Sequence, residues 1–159
     1  MTADRTRWTL VWLMFGVGVV TAFQVGKMPA SIPHLQRDLG MSLVEAGVAV
    51  ALINAVGCLI GIVAGALADA AGARRVIFGG MLLIGVASLA GSLVDSAILL
   101  LITRFFEGLG AIGIFVSGPL MILRGIRAED SRQAFGIWSA YMPAGVAVMV
   151  ALTPFLLMS

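Results

Sequence analysis

The chain has 159 residues, of which 60% are hydrophobic and 11% charged, and its mean hydropathy is +1.08. Charged residues alone make up roughly a quarter of an ordinary soluble domain, so the composition excludes a water-soluble globular protein and indicates a membrane-embedded one. The net charge of +2, carried by basic residues set beside apolar runs, excludes a nucleic-acid surface, and one cysteine with one histidine excludes a disulfide framework or a typical zinc site.

Five apolar segments follow in order, at about 8–33, 43–68, 76–94, 97–123 and 134–157. Each approaches or exceeds the roughly 20 residues that cross a bilayer as helix. The expected fold class is therefore all-α, a polytopic bundle of five transmembrane helices. Arg5 and Arg7 before the first segment imitate a signal peptide. The uninterrupted run Trp8–Val25 exceeds the roughly 7–15 residues of a secretory apolar region, which makes it a first span. Pro29 and Pro33 are expected to mark its outer end, His34 to lie in the solvated segment beyond, and Cys58 to pack inside the second helix. No soluble domain or low-complexity linker separates the spans.

The stretch Gly65–Arg75 is a polar hinge between the second and third spans. Gly65 permits close helix approach, and Gly72 suits the positive φ that stops a helix. Asp69 stands near the negative end of its helix, so Arg74 and Arg75 are its expected partners. An N-terminus in the cytoplasm of a cell membrane puts Arg5, Arg7, Arg74, Arg75, Arg124, Arg127 and Arg132 inside and only Arg37 outside, the asymmetry that sets orientation.

Lys27 and Arg104 fall within spans and need a separate account. Thr21, Gln24, Lys27 and Ser31 share one face of the first helix, a polar stripe in an apolar segment. A lysine at the bilayer centre costs on the order of 2.5–3.5 kcal/mol. Two readings stand: the stripe lines a solute path in which Lys27 attracts an anion, or Lys27 reaches the interface or pairs structurally. In the second helix Gly57, Gly61 and Gly65 form a small-residue ridge for close packing, with Asn54 on nearly the same side to bond across the contact. In the fourth, Glu107 stands one turn from Arg104, either neutralising it as a structural pair or serving solute or proton coupling. Tyr141 belongs to the segment Trp138–Pro143, which brings aromatics and a proline into the fifth span.

The hinge, G-x-L-x-D-x-x-G-x-R-R from Gly65 to Arg75, resembles the loop between helices two and three of the major facilitator superfamily, departing from its usual form at Ala70, Ala71 and Ala73. The run from Arg104 through Gly108 to Gly110 resembles the same superfamily's R-x-x-x-G-x-G signature, one helix later. The resemblance implies the N-terminal portion of a secondary transporter working by alternating access, cut short before the sixth helix of its first half. It implies a substrate site formed by Lys27, Gln24, Thr21, Asn54, Arg104 and Tyr141, with Glu107 as coupling candidate. It also implies a conformational switch at Gly65, Asp69, Gly72, Arg74 and Arg75. The segments Val25–Pro29 and Trp138–Pro143 are similar to the cyanate-permease-like branch, which implies a small anion; whether a coupling proton accompanies it stays open. The fifth span lacks the G-x-x-x-G-P-x-x-G run of many drug:proton antiporters, which speaks against that subclass. Expected partners are the solute, the lipid bilayer and a missing C-terminal half or partner chain, with no cofactor, metal or nucleic acid. The rival from another class is a membrane scaffold or assembly subunit that transports nothing, and no catalytic constellation supports an enzyme.

Overall fold

A computed structural model describes residues 5–157. The described residues form helices α1 (Trp8–Asp38), α2 (Leu43–Ala71), α3 (Ala73–Gly91), α4 (Ala97–Gly125), α5 (Ser131–Ser139) and α6 (Tyr141–Leu157), with one 3-10 turn at Ala128–Asp130. They supply five stretches long and apolar enough to cross a membrane, the fifth built from α5 and α6 together. At 31 and 29 residues, α1 and α4 are about 46 and 43 Å long, against a hydrocarbon core of about 30 Å. Large apolar side chains such as Leu59, Ile62, Phe78, Leu82, Leu93 and Ile98 face outward, the arrangement that lipid rather than water rewards.

Local chemistry sets the helix ends. Ser42 and Glu45 form a reciprocal capping box at the start of α2: the Ser42 hydroxyl accepts the Glu45 amide at 3.2 Å, and the Glu45 carboxylate accepts the Ser42 amide at 2.8 Å. The turn from α2 to α3 is a single residue, Gly72, at φ +90°, a conformation that side chains with a Cβ rarely adopt. Two expectations about proline change. Pro29 and Pro33 do not end α1, which runs through both to Asp38. Each costs one backbone hydrogen bond, to the Val25 and Pro29 carbonyls, but both accept helical φ; between them the Ser31 hydroxyl donates to the Lys27 carbonyl at 2.8 Å. The fifth span is broken at Ala140 instead of running unbroken from residue 134, because Pro143 offers no N–H to the carbonyl four residues before it. The Ala140 amide turns to Ile137 at 3.2 Å, and the helix resumes with Ala144 bonding Ala140 at 3.1 Å.

Packing centres on two helices. Helix α4 lies along α3 and α2, whereas α1 lies along α6. At the α3–α4 crossing the backbones nearly touch: a Cβ on Gly80 would stand 2.7 Å from the Gly110 carbonyl, and one on Gly110 2.6 Å from the Gly80 carbonyl. Where α2 meets α4 the small residue is Gly108, whose added Cβ would lie 3.2 Å from the Ile53 Cα. The expected ridge on α2 does not make this contact. Gly57 and Gly65 meet only side-chain tips at 3.5 and 3.9 Å, and Gly61 has nothing within 4 Å. Cys58 and Asn54 are likewise exposed, because the core-facing edge of α2 is Ile53 and Val56.

Three apolar clusters stack along the bundle, from Val11, Ile122 and Trp138 at one end, through Ile53, Ile84 and Ile114, to Met28, Met41 and Leu100 at the other. At the first end a polar clasp closes over α1. The Arg7 amide bonds the Gly125 carbonyl at 2.9 Å, the Arg127 amide bonds the Thr6 hydroxyl at 3.0 Å, and the Thr6 hydroxyl donates to Asp130.

Candidate functional site: a buried three-charge cluster

Lys27 of α1, Ser88 of α3, and Arg104 and Glu107 of α4 converge inside the bundle. Helix geometry brings them together: Arg104 and Glu107 are three apart on α4 and share a face, and the glycine-thin crossing of α3 on α4 lets Ser88 come beside them. The Arg104 Nη2 donates to Glu107 Oε1 at 2.6 Å, and Nη1 lies 2.5 Å from Oε2. The Lys27 ammonium donates to the same Oε1 at 3.1 Å and to the Ser88 hydroxyl at 2.9 Å. Glu107 is wholly buried and the Arg104 side chain is 3% exposed, whereas Lys27 retains 21%.

Two cations on one carboxylate leave one surplus positive charge. Glu107 is ten residues past Ala97, about 15 Å along α4, so the surplus lies within the span and toward the end opposite the clasp. Charges at this depth are expensive and are retained with a partner or beside a watery cavity. The Arg104 Nε and Gln24 Oε1 are buried without a partner among the described residues.

The other expected site residues divide. Gln24 and Thr21 lie one and two turns from Lys27 and, with Ser88 and Ser92, line a groove of about 490 Å³ between α1 and α3. The Thr21 hydroxyl is spent on its own helix, donating to the Val17 carbonyl at 2.8 Å. Asn54 points away on the exposed side of α2 and makes no side-chain hydrogen bond among the described residues, so it does not join the cluster. Tyr141 sits elsewhere, at the break between α5 and α6. It packs on Trp138 and Phe115, with ring centroids 4.5 and 5.3 Å away, and against Gly18, nine residues or about 13 Å along α1 from Lys27. Sequence reading missed Ser88, a lone serine in an apolar run that carries no signal of its own. It also missed the buried Ser117, whose hydroxyl has no partner among the described residues.

At the α2–α3 turn, Gly72 takes its expected positive φ, but Asp69 is exposed and pairs with neither Arg74 nor Arg75 among the described residues. Because α3 begins immediately after Gly72, both arginines sit in its first turn, and Arg74 lies over the Phe78 ring at 5.8 Å. His34 belongs to the last turns of α1, half-buried, not to a loop.

Residues 8–159 match the Major Facilitator Superfamily. The chain belongs to that superfamily. Among curated relatives it is similar to a puromycin resistance protein of Streptomyces alboniger, 29% identical over 148 residues that make up 91% of this chain and 29% of the relative. It is also similar to an uncharacterised MFS-type transporter of Mycobacterium tuberculosis strain CDC 1551, 30% identical over 128 residues, or 80% of this chain and 18% of that one. The chain thus spans less than a third of the length of either relative. No solved structure matches it.

Proposed function

We propose that these residues are the N-terminal portion of a secondary transporter that moves a small, anionic solute across the cell membrane by alternating access, with the N-terminus in the cytoplasm. The observation that carries this reading is the surplus positive charge of the Lys27–Glu107–Arg104 cluster, held inside the membrane span and open to solvent only at Lys27. A positive charge at that depth attracts an anion more strongly than one at the surface, because low-dielectric surroundings screen it less. In this reading Gln24, with its free buried carbonyl oxygen, lies along the same path, and the transport site is completed by the remaining helices of a two-halved protein. Glu107 is the one carboxylate well inside a span, which makes it the coupling candidate if a proton travels with the solute. Asp69, Gly72, Arg74 and Arg75, with Gly65, form the switch: charges without an ion pair among the described residues are available to latch against the other half in one conformation.

The test is uptake of radiolabelled small anions by the protein in lipid vesicles. Lys27→Ala is expected to abolish uptake with folded protein retained; unchanged kinetics would remove Lys27 from the site. A scaffold would instead lose co-purifying partners and show no flux in either form.

A second reading is export of a drug-like solute, favoured by the likeness to a puromycin resistance protein and by the aromatic group Phe115, Trp138 and Tyr141. It predicts that Tyr141→Ala, and not Lys27→Ala, lowers the resistance that the protein confers on cells.

A further inference from the structure

The three charges of the cluster are not equivalent. Arg104 meets both oxygens of Glu107, at 2.5 and 2.6 Å, and the two are 3% and 0% exposed, so they form a closed, self-neutral pair. Lys27 shares an oxygen already taken by Arg104, at the longer distance of 3.1 Å, and keeps 21% of its side chain exposed. An ammonium has three N–H donors. Two are occupied, by Glu107 and by Ser88, and the third has no acceptor among the described residues.

We propose that Lys27 alone engages the solute anion, while Arg104 stays locked on Glu107, and that Ser88 is the positioning residue that holds the ammonium between the closed pair and the solute. The proposal rests on the anion-transport reading and sharpens it. Charge balance supports this division. Taking Arg104 from Glu107 to bind a solute would leave a fully buried carboxylate with a single weaker contact. Turning Lys27 toward the solute leaves the Arg104–Glu107 pair intact. The Ser88 hydroxyl, 2.9 Å from the ammonium, is a neutral acceptor: it fixes the direction of Lys27 without cancelling its charge. Because Ser88 is on α3 and Lys27 on α1, the ammonium also ties these two helices together across the groove beside Gln24.

Lys27 is the only lysine in the sequence, which makes it chemically addressable. Cyanate carbamoylates an amine by addition: isocyanic acid forms a bond from its carbon to Nζ, one Nζ proton moves to the cyanate nitrogen, and no group leaves. The protein in lipid vesicles would be treated with cyanate, with and without nitrate as an inert competing anion, and modification of Lys27 read by peptide mass. The wild type is expected to be modified slowly and to be protected by nitrate. Loss of one hydrogen bond to a charged group weakens that protection about tenfold in Ser88→Ala, and Ser88→Thr restores it. Equal modification with and without nitrate in the wild type would overturn the anion site at Lys27, and this arm needs no variant to fold. Protection unchanged in a folded Ser88→Ala would overturn the positioning role. Nitrate protection without any solute uptake would refute the transport reading and leave the anion site standing.

Discussion

The buried cluster and the α2–α3 turn of this bundle treat charge in opposite ways. Near the end of α4 that begins at Ala97, three ionised side chains and a serine are folded into one cluster, with distances between 2.5 and 3.1 Å. At the opposite end, Asp69, Arg74 and Arg75 lie within one turn of Gly72 and stay exposed, with no ion pair to Asp69 among the described residues. The difference is one of solvent. A charge removed from water must find a counter-charge or stay uncompensated at a cost of several kcal/mol. A charge at an interface is already solvated, and pairing gains little after side-chain entropy is lost. The same residue types are therefore all paired where they are buried, whereas at the exposed end pairing is optional: Arg127 meets Glu129, and Asp69 has no ion-pair partner among the described residues.

Substitutions can break this contrast. The largest effect is expected from Glu107→Gln, which leaves two buried cations without a counter-charge. It should destabilise the fold by about 3–5 kcal/mol, read as a lower thermal midpoint in detergent; a wild-type midpoint would mean that water reaches the cluster. Next is Gly72→Ala, which places a Cβ on a residue at φ +90°. Strain of about 1–3 kcal/mol is expected there, and the same melting experiment checks it. Lys27→Met removes the surplus charge and leaves the Arg104–Glu107 pair neutral, so stability should stay within about 1 kcal/mol of wild type while anion uptake is lost. That variant separates stability from function most sharply. A large loss of stability would make Lys27 a structural cation. The smallest effect on folding is expected from Asp69→Asn, with melting indistinguishable from wild type. Slower solute exchange in vesicles would then place its role in the transport cycle, and unchanged exchange would take Asp69 out of the switch.

Much of the fold is legible in the sequence because the bilayer imposes a single strong rule. Apolar runs of sufficient length become helices, and the described helices supply five stretches long and apolar enough to cross a membrane. The details missed concern proline. Pro29 and Pro33 are continued through, whereas Pro143 coincides with a break, and the sequence around each gives no sign of whether neighbouring groups can absorb the lost hydrogen bond. The site is legible to the extent that charge is conspicuous: Lys27, Arg104 and Glu107 stand out because each is costly where it lies. What they bind to is not legible. Ser88 looks like any small polar residue in a membrane helix until α3 is laid on α4. Sequence spacing places Asn54 with the glycine ridge of α2, on nearly the same side, but the side of α2 that faces the core is the one that carries Ile53 and Val56, and Asn54 is exposed. The ridge of glycines on α2 misleads in a similar way, since the thin surface that permits close approach belongs to α4.

The clasp at the other end bears on biosynthesis. Thr6 finds its partners, Arg127 and Asp130, 121 and 124 residues further along the chain. At roughly 5–20 residues per second of synthesis, the segment ahead of α1 waits on the order of ten seconds, while four helices enter the membrane, before anything exists for it to bind. Closing the clasp therefore waits for the synthesis of α4 and the turn after it, and it reports that the start of α1 and the end of α4 have reached the same side.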